Sequence, residues 1–321
     1  MASPKQQRIP PTRATRSGRP GGRPPAAPKI RKAGAGDWIA GARLRTLPLS
    51  IAPVLLGTAA AHIALAPWAW WRIALALAVA VCLQIGVNYA NDYSDGVRGT
   101  DKYRQGPSRL TGSGAAKPRA VLTVALVFFG LAAVAGAILV VHVGQYWLLG
   151  VGAVSILVAY FYTGGKRPYG YYGLGELFVF VFFGLVATAG TTYTQLGTVN
   201  LESWISGVAI GLIACAVLMV NNIRDREQDK LAGKRTLAVL LGNRASRIVY
   251  AVLLLFPFVI LVYFTLLYSN TPYTYFALIL ALPATLITLT AKTPGELVIA
   301  LQLTSFTALA YAVGLGWALA F

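Results

Sequence analysis

Negative charge is scarce in this sequence: ten Asp and Glu stand against 28 Lys and Arg in 321 residues, and only 12% of positions are charged. So little charge does not suit a soluble domain. Cysteine and histidine are rarer still, with two of each. Cys82 and Cys215 fall inside apolar runs, where small buried thiols are commonplace, and two cysteines build neither a disulfide framework nor a metal signature. His62 and His142 are expected at the ends of membrane segments away from the charged loops, which removes them as bases for a site on the charged side. The first thirty residues lack an apolar stretch of leader type, so no cleaved signal peptide is expected.

What is abundant is hydrocarbon. Hydrophobic residues make up 56% of the chain and gather into nine segments, approximately 46–66, 71–91, 119–141, 146–163, 174–195, 203–223, 246–268, 272–290 and 295–320. Each is near the roughly 20 residues that a bilayer demands. A helix satisfies its own backbone in lipid, so the expected fold class is an all-α integral membrane protein with nine transmembrane helices. Residues 1–36, rich in Pro, Gly, Arg and Lys, are expected to form a disordered basic cytoplasmic arm, and residues 37–321 the helical domain. The net charge of +18 invites a nucleic-acid partner, but its placement argues against one. Of the 28 basic residues, 27 lie in the arm or in loops after even-numbered segments, and only Arg72 follows an odd one. By the positive-inside rule the N-terminus is then cytoplasmic and the C-terminus outside, and the partner of the charge is the lipid bilayer.

Six of the ten carboxylates sit in two stretches. NYANDYSDGVRGTD, from Asn88 to Asp101, closes the second apolar segment, and NNIRDREQD, from Asn221 to Asp229, closes the sixth. Helical spacing lets Asn88, Asp92 and Asp95 converge, as it does Asn221, Asp225 and Asp229, whereas Glu227 points elsewhere. Crowded carboxylates repel one another and are costly beside hydrocarbon unless a cation neutralises them. Mg²⁺, usually held by one or two carboxylates plus phosphate oxygens, meets that need. The plain alternative is a pair of solvated helix ends matched with Arg98, Arg224 and Arg226. Aligning Asn88 with Asn221 also aligns Asp92 with Asp225 and Cys82 with Cys215, the pattern of an internal repeat.

Cations gather on the same face. Arg43 and Arg45 stand at the mouth of the first segment, either as topology anchors or to hold a substrate carboxylate. The loop after the second segment carries Asp101, Arg104, Arg109 and the glycine-rich run LTGSGA, the makings of a lid or of a plain linker. Lys166 and Arg167, within YFYTGGKRPYGYYGLGE, and Lys234 and Arg235 further on, are candidates for phosphate oxygens. A secondary transporter would also have intramembrane acids, but near the midplane rather than at helix ends on one face.

NYANDYSDGVRGTD, YTGGKRPYG and NNIRDREQDKLAGKRTLAVLLG, in that order, resemble the two aspartate-rich motifs and the intervening Tyr/Lys/Arg motif of the intramembrane UbiA-type aromatic prenyltransferases, over residues 37–321. RLRTLPLSIAPVLLG and the N-D-Y-S-D-G run most resemble the branch that prenylates 1,4-dihydroxy-2-naphthoate in menaquinone synthesis, with the 4-hydroxybenzoate branch as the alternative. The resemblance implies nine helices around a central apolar cavity in the cell membrane, with the polar motifs capping it on the cytoplasmic side. It implies transfer from polyprenyl diphosphate with loss of diphosphate and CO₂, supported by two Mg²⁺ ions bridged by the substrate diphosphate. By motif position, Asn88, Asp92 and Asp95 would hold one ion, and Asp225 and Asp229, assisted by Asn221, the other. Arg104, Lys166 and Arg167 would contact diphosphate, while Arg43 and Tyr162 would face the aromatic acid. The first motif departs from the family's D-x-x-x-D: Gly96 lies four residues after Asp92, so Asp95 or Asp101 takes that part.

Overall fold

The computed structural model describes residues 31–103 and 109–321, and the chain from Lys32 to Phe321 forms one compact unit. The expected arm lies almost wholly outside the described residues, as does Arg104. The described chain is all-helical. A short α1 (Ala35–Gly41) and a 3₁₀ turn (Leu44–Thr46) lead into α2 (Pro48–Ile63), followed by α3 (Trp70–Arg98), α4 (Pro118–Val143) and α5 (Trp147–Phe161). Next, α6 (Gly175–Val179) continues through a π-helical stretch (Phe180–Val186) into α7 (Ala187–Leu196). Then come α8 (Leu201–Leu231), α9 (Leu237–Leu267), α10 (Leu278–Thr290) and α11 (Pro294–Ala320).

Among the described residues, seven helices are long and apolar enough to cross a membrane, or eight if the bent pair Ala35–Thr46 with Pro48–Ile63 counts as one span. The remaining expected segment is α5, apolar but 15 residues long. Local signals set the ends. Thr293 caps α11 in a capping box with Glu296, with Pro294 in the first turn, and the Asn200 side chain accepts from the Ser203 N–H to start α8. Gly99 and Gly144 end α3 and α4 in the left-handed conformation that favours glycine.

Two helices run well past the C-terminal ends of their apolar segments. With 29 and 31 residues at about 1.5 Å per residue, α3 and α8 exceed the roughly 30 Å hydrocarbon core. The acidic stretches sit on the last turns of these two helices, apart from Asp101, which follows α3. Packing explains why α8 lies at the centre. Gly207 and Gly211 let the π-helical stretch approach so closely that a Cβ on Gly184 would lie 2.6 Å from the Gly207 carbonyl oxygen. The exterior is apolar: Leu131, Val134, Val154 and Leu157 on α4 and α5 are exposed, as a lipid-facing wall requires.

Candidate active site

The ends of α3 and α8 both line one cavity of about 400 Å³. Asn91 and Asp95 from α3, and Asn221, Asp225 and Asp229 from α8, line its polar end. Leu83, Leu139, Phe178 and Phe182 line its apolar body. The two acidic stretches thus both reach one chamber.

Asp95, 2% exposed, is the hub of the polar end. Its Oδ2 lies 2.6 Å from Arg109 Nη1 and 3.1 Å from Lys234 Nζ, and its Oδ1 accepts the Tyr171 hydroxyl at 2.6 Å. Arg109 also donates to the Asn91 carbonyl at 3.0 Å and reaches Asp101 at 3.3 Å. Burial opposes the Arg109 charge, but Asp95 and Asp101 outweigh it and hold the guanidinium above its ordinary pKa. Burial, and then Asp95, push the Tyr171 phenol up, so it stays a hydrogen-bond donor. Lys234 continues to Asp229 Oδ1 at 3.8 Å, so a single ammonium touches a carboxylate from each long helix. Arg224 grips Asp225 through two bonds, Nε to Oδ1 at 2.7 Å and Nη2 to Oδ2 at 2.6 Å, and donates to Asn221 Oδ1 at 2.8 Å. The loop after α5 is fastened to the same centre. The Arg98 guanidinium donates to the Thr163 and Gly165 carbonyls, and the Thr163 hydroxyl to Asn91 Oδ1 at 2.7 Å.

Several expectations need correction. Asp92 does not line the cavity: its two oxygens accept the Leu110 and Thr111 N–H groups at 2.8 Å each, clamping the loop that brings in Arg109. The reason is helical phase. Asp92 lies roughly 60° around α3 from Asp95, whereas Asn88, Asn91 and Asp95 share the cavity face. Asn88 does line the cavity and donates to the Ala42 carbonyl at 3.0 Å. The residue missed in sequence is Asn91, spaced four from Asp95 as Asn221 is from Asp225. That spacing was the available signal, and it shifts the repeat register by three, which undoes the pairing of Cys82 with Cys215. Asp101 sits on a 3₁₀ turn (Thr100–Tyr103) against Arg109, outside the cavity lining. Lys166 and Arg167 are exposed and line no part of it, because Arg98 draws the preceding carbonyls inward and the next two side chains turn out. Lys234 and Arg109 stand where those cations were expected. Arg235 is exposed and contributes its backbone N–H to the Tyr171 carbonyl. Tyr162 and Arg43 both line the cavity, Arg43 in the left-handed backbone region at φ 55° that non-glycine residues seldom adopt.

A hard divalent cation fits this donor set. Among the described residues no group of three or more His, Cys, Asp or Glu stands together as a metal cage. The cavity nevertheless gathers Asp95, Asp225 and Asp229 with the Asn91 and Asn221 amides beside them, all oxygen donors, and Lys234 already bridges the two helices as a cation. That is the arrangement Mg²⁺ uses when ligand oxygens complete its sphere.

Comparison with known proteins identifies the family and the fold. Residues 50–296 match the model of the UbiA prenyltransferase family. A 1,4-dihydroxy-2-naphthoate octaprenyltransferase of Mycobacterium tuberculosis is 54% identical over 221 residues, 68% of this chain and 74% of that protein. The Escherichia coli protein of the same name is 41% identical over 245 residues, 71% of this chain and 76% of its own. Among solved structures, a UbiA homologue of Aeropyrum pernix superposes with a TM-score of 0.65 at 16% identity, covering 84% of this chain and 96% of that one. A UbiA homologue of Archaeoglobus fulgidus bound to GPP and Mg²⁺ gives 0.57 at 15% identity, covering 88% and 99%.

Proposed function

Because the chain belongs to the UbiA prenyltransferase family, we propose that it transfers a polyprenyl group from polyprenyl diphosphate to 1,4-dihydroxy-2-naphthoate, releasing diphosphate and CO₂ and giving a demethylmenaquinol. One observation carries this reading: two sets of oxygen donors, from α3 and α8, meet at one end of an apolar cavity in a multi-pass membrane protein. A diphosphate head belongs at the polar end and an isoprenoid tail in the apolar body. Counting the bent first pair and α5 as spans gives nine, with residues 1–36 as a basic arm. The lysine and arginine bias then puts the polar end and the N-terminus on the cytoplasmic side of the plasma membrane, and the C-terminus outside.

Asp95, with Asn91, would hold one Mg²⁺, and Asp225 and Asp229, with Asn221, a second, the substrate diphosphate bridging them. Bound there, the ions neutralise the negative charge on the diphosphate oxygens. Arg109 and Lys234 supply further positive charge to the departing diphosphate, as the C–O bond breaks and its electron pair leaves with oxygen. The apolar walls, Phe178 and Phe182 among them, keep water from the allylic cation. Arg43 holds the aromatic carboxylate in a planar two-point grip, with Tyr162 beside it. The electron-rich ring carbon then forms the new C–C bond as its phenolic proton passes to a carboxylate. The carboxylate now beta to a ring ketone leaves as CO₂, and the ring takes the proton back as it becomes aromatic.

The test is direct. The purified protein in lipid nanodiscs, given Mg²⁺ and polyprenyl diphosphate, is expected to release diphosphate and CO₂ with 1,4-dihydroxy-2-naphthoate, and to stop on addition of EDTA. Prenylation of 4-hydroxybenzoate and never of the naphthoate would overturn the acceptor; solute movement without diphosphate release would overturn the enzyme.

A further inference from the structure

Gln84 is a polar side chain on the cavity wall that the chemistry above leaves unused. It lies on α3 seven residues before Asn91 and eleven before Asp95, about 10 Å and 16 Å deeper toward the apolar body. It is 7% exposed. Its Nε2 donates to the Thr46 hydroxyl at 3.3 Å and to the Thr46 carbonyl at 3.4 Å. A carbonyl can only accept, so Thr46 fixes which end of the amide faces it and leaves Oε1 on the other side. That oxygen is buried and has no hydrogen-bond donor among the described residues. Thr46 is in turn tied to Arg43, its hydroxyl lying 3.0 Å from the Arg43 carbonyl. The orphaned acceptor and the cavity arginine therefore belong to one rigid corner, where the break after α1 meets α3.

An acceptor without a donor selects among the groups that enter the cavity. A diphosphate, a carboxylate and an isoprenoid chain carry no donor at neutral pH; a phenolic hydroxyl does. Resting on the reading of the acceptor as a dihydroxynaphthoate, we propose that Gln84 Oε1 accepts a hydrogen bond from the 4-hydroxyl of the naphthoate and thereby sets specificity for the 1,4-diol. The 1-hydroxyl is next to the carboxylate and is taken up by an internal hydrogen bond to it. The 4-hydroxyl lies across the ring and has no such partner. With the carboxylate held by Arg43, the ring presents that hydroxyl to the neighbouring wall. Gln84 is thus a substrate-binding residue, and Thr46 positions it.

The test compares two ligands on one protein. Affinity is measured for 1,4-dihydroxy-2-naphthoate and for 1-hydroxy-2-naphthoate, which lacks only the 4-hydroxyl, as a competitor of turnover. The native enzyme is expected to bind the deoxy ligand about tenfold more weakly, the worth of one buried hydrogen bond. In Gln84→Met, which keeps the side chain's length and removes the amide, the two ligands bind alike, while KM for polyprenyl diphosphate is unchanged. Gln84→Leu gives the same ratio, and because the ratio does not depend on the folded fraction, partial misfolding leaves it readable. A tenfold preference that persists in both variants, or no preference in the native enzyme, overturns the role of Gln84 alone. A native enzyme that prenylates 4-hydroxybenzoate and not the naphthoate overturns the reading of function, and this proposal with it.

Discussion

The ends of α3 and α8 are made of the same residue types, on helices of nearly equal length, and they do different work. On α8, Asp225 and Asp229 both line the cavity, and their partners are close at hand: Arg224 beside Asp225 and Lys234 just past the helix end. On α3, only Asp95 lines the cavity, held by two cations and a phenol that come from distant loops, while Asp92 clamps the loop that delivers one of those cations. These two partners thus come from the α8 end's own stretch of chain. The α3 end is an assembly point, and its geometry is only as good as the loop it holds. The difference teaches that a cluster of acids on a membrane helix divides into cavity-facing groups and clamps according to helical phase.

Substitutions can break that comparison. The largest effect is expected from Asp95→Asn or Asp225→Asn, each lowering the rate of diphosphate release about a thousandfold with the helices intact by circular dichroism. Equal and near-normal activity in both would refute the assignment of the two donor sets. Next, Lys234→Met removes a cation from the departing diphosphate and a competitor from between Asp95 and Asp229. KM for polyprenyl diphosphate is expected to rise about tenfold, while half-maximal Mg²⁺ falls. A rise in the Mg²⁺ requirement would show that the lysine supports the ion rather than standing in its place.

Asp92→Asn sharpens the contrast with Asp95. An amide can accept only one of the two backbone N–H groups well, so folding is expected to weaken by about 1.5–3 kcal/mol, seen as a lower Tm in detergent. Activity falls less than in Asp95→Asn and recovers on cooling. A thousandfold loss at unchanged Tm would instead return Asp92 to the metal site. The smallest effect belongs to Lys166→Ala and Arg167→Ala, which are exposed and outside the cavity lining. Each is expected to change KM for the prenyl diphosphate by no more than about twofold; a tenfold rise would mean that this loop reaches the diphosphate.

Particular residues mark how far the sequence could be read. The apolar segments matched the helices within a few residues wherever lipid length decides, as in α4 and α11. They fell short at α3 and α8, because hydropathy stops at the edge of the hydrocarbon while the helical hydrogen bonds run on to Gly99 and Ala232. Asp225, Asp229 and Asn221 were legible as one face because their spacing of four is uninterrupted. Asn88, Asn91, Asp92 and Asp95 offer two such faces, and spacing alone does not say which one looks inward. The orphaned Gln84 oxygen had no signal at all: a glutamine in an apolar run is unremarkable until its neighbours are known.

By itself the sequence determined an all-helical membrane protein with two acidic stretches at the ends of apolar helices. Those properties follow from composition and from periodicities of a few residues, which depend on nothing beyond the local chain and the bilayer. Only the tertiary structure decided that Asp95 rather than Asp92 faces the cavity, that Arg109 and Lys234 rather than Lys166 and Arg167 stand at its polar end, and that Gln84 lacks a donor. These outcomes turn on which surface of α3 its neighbours cover. Contacts between residues far apart in the chain set that choice, and no local pattern encodes it.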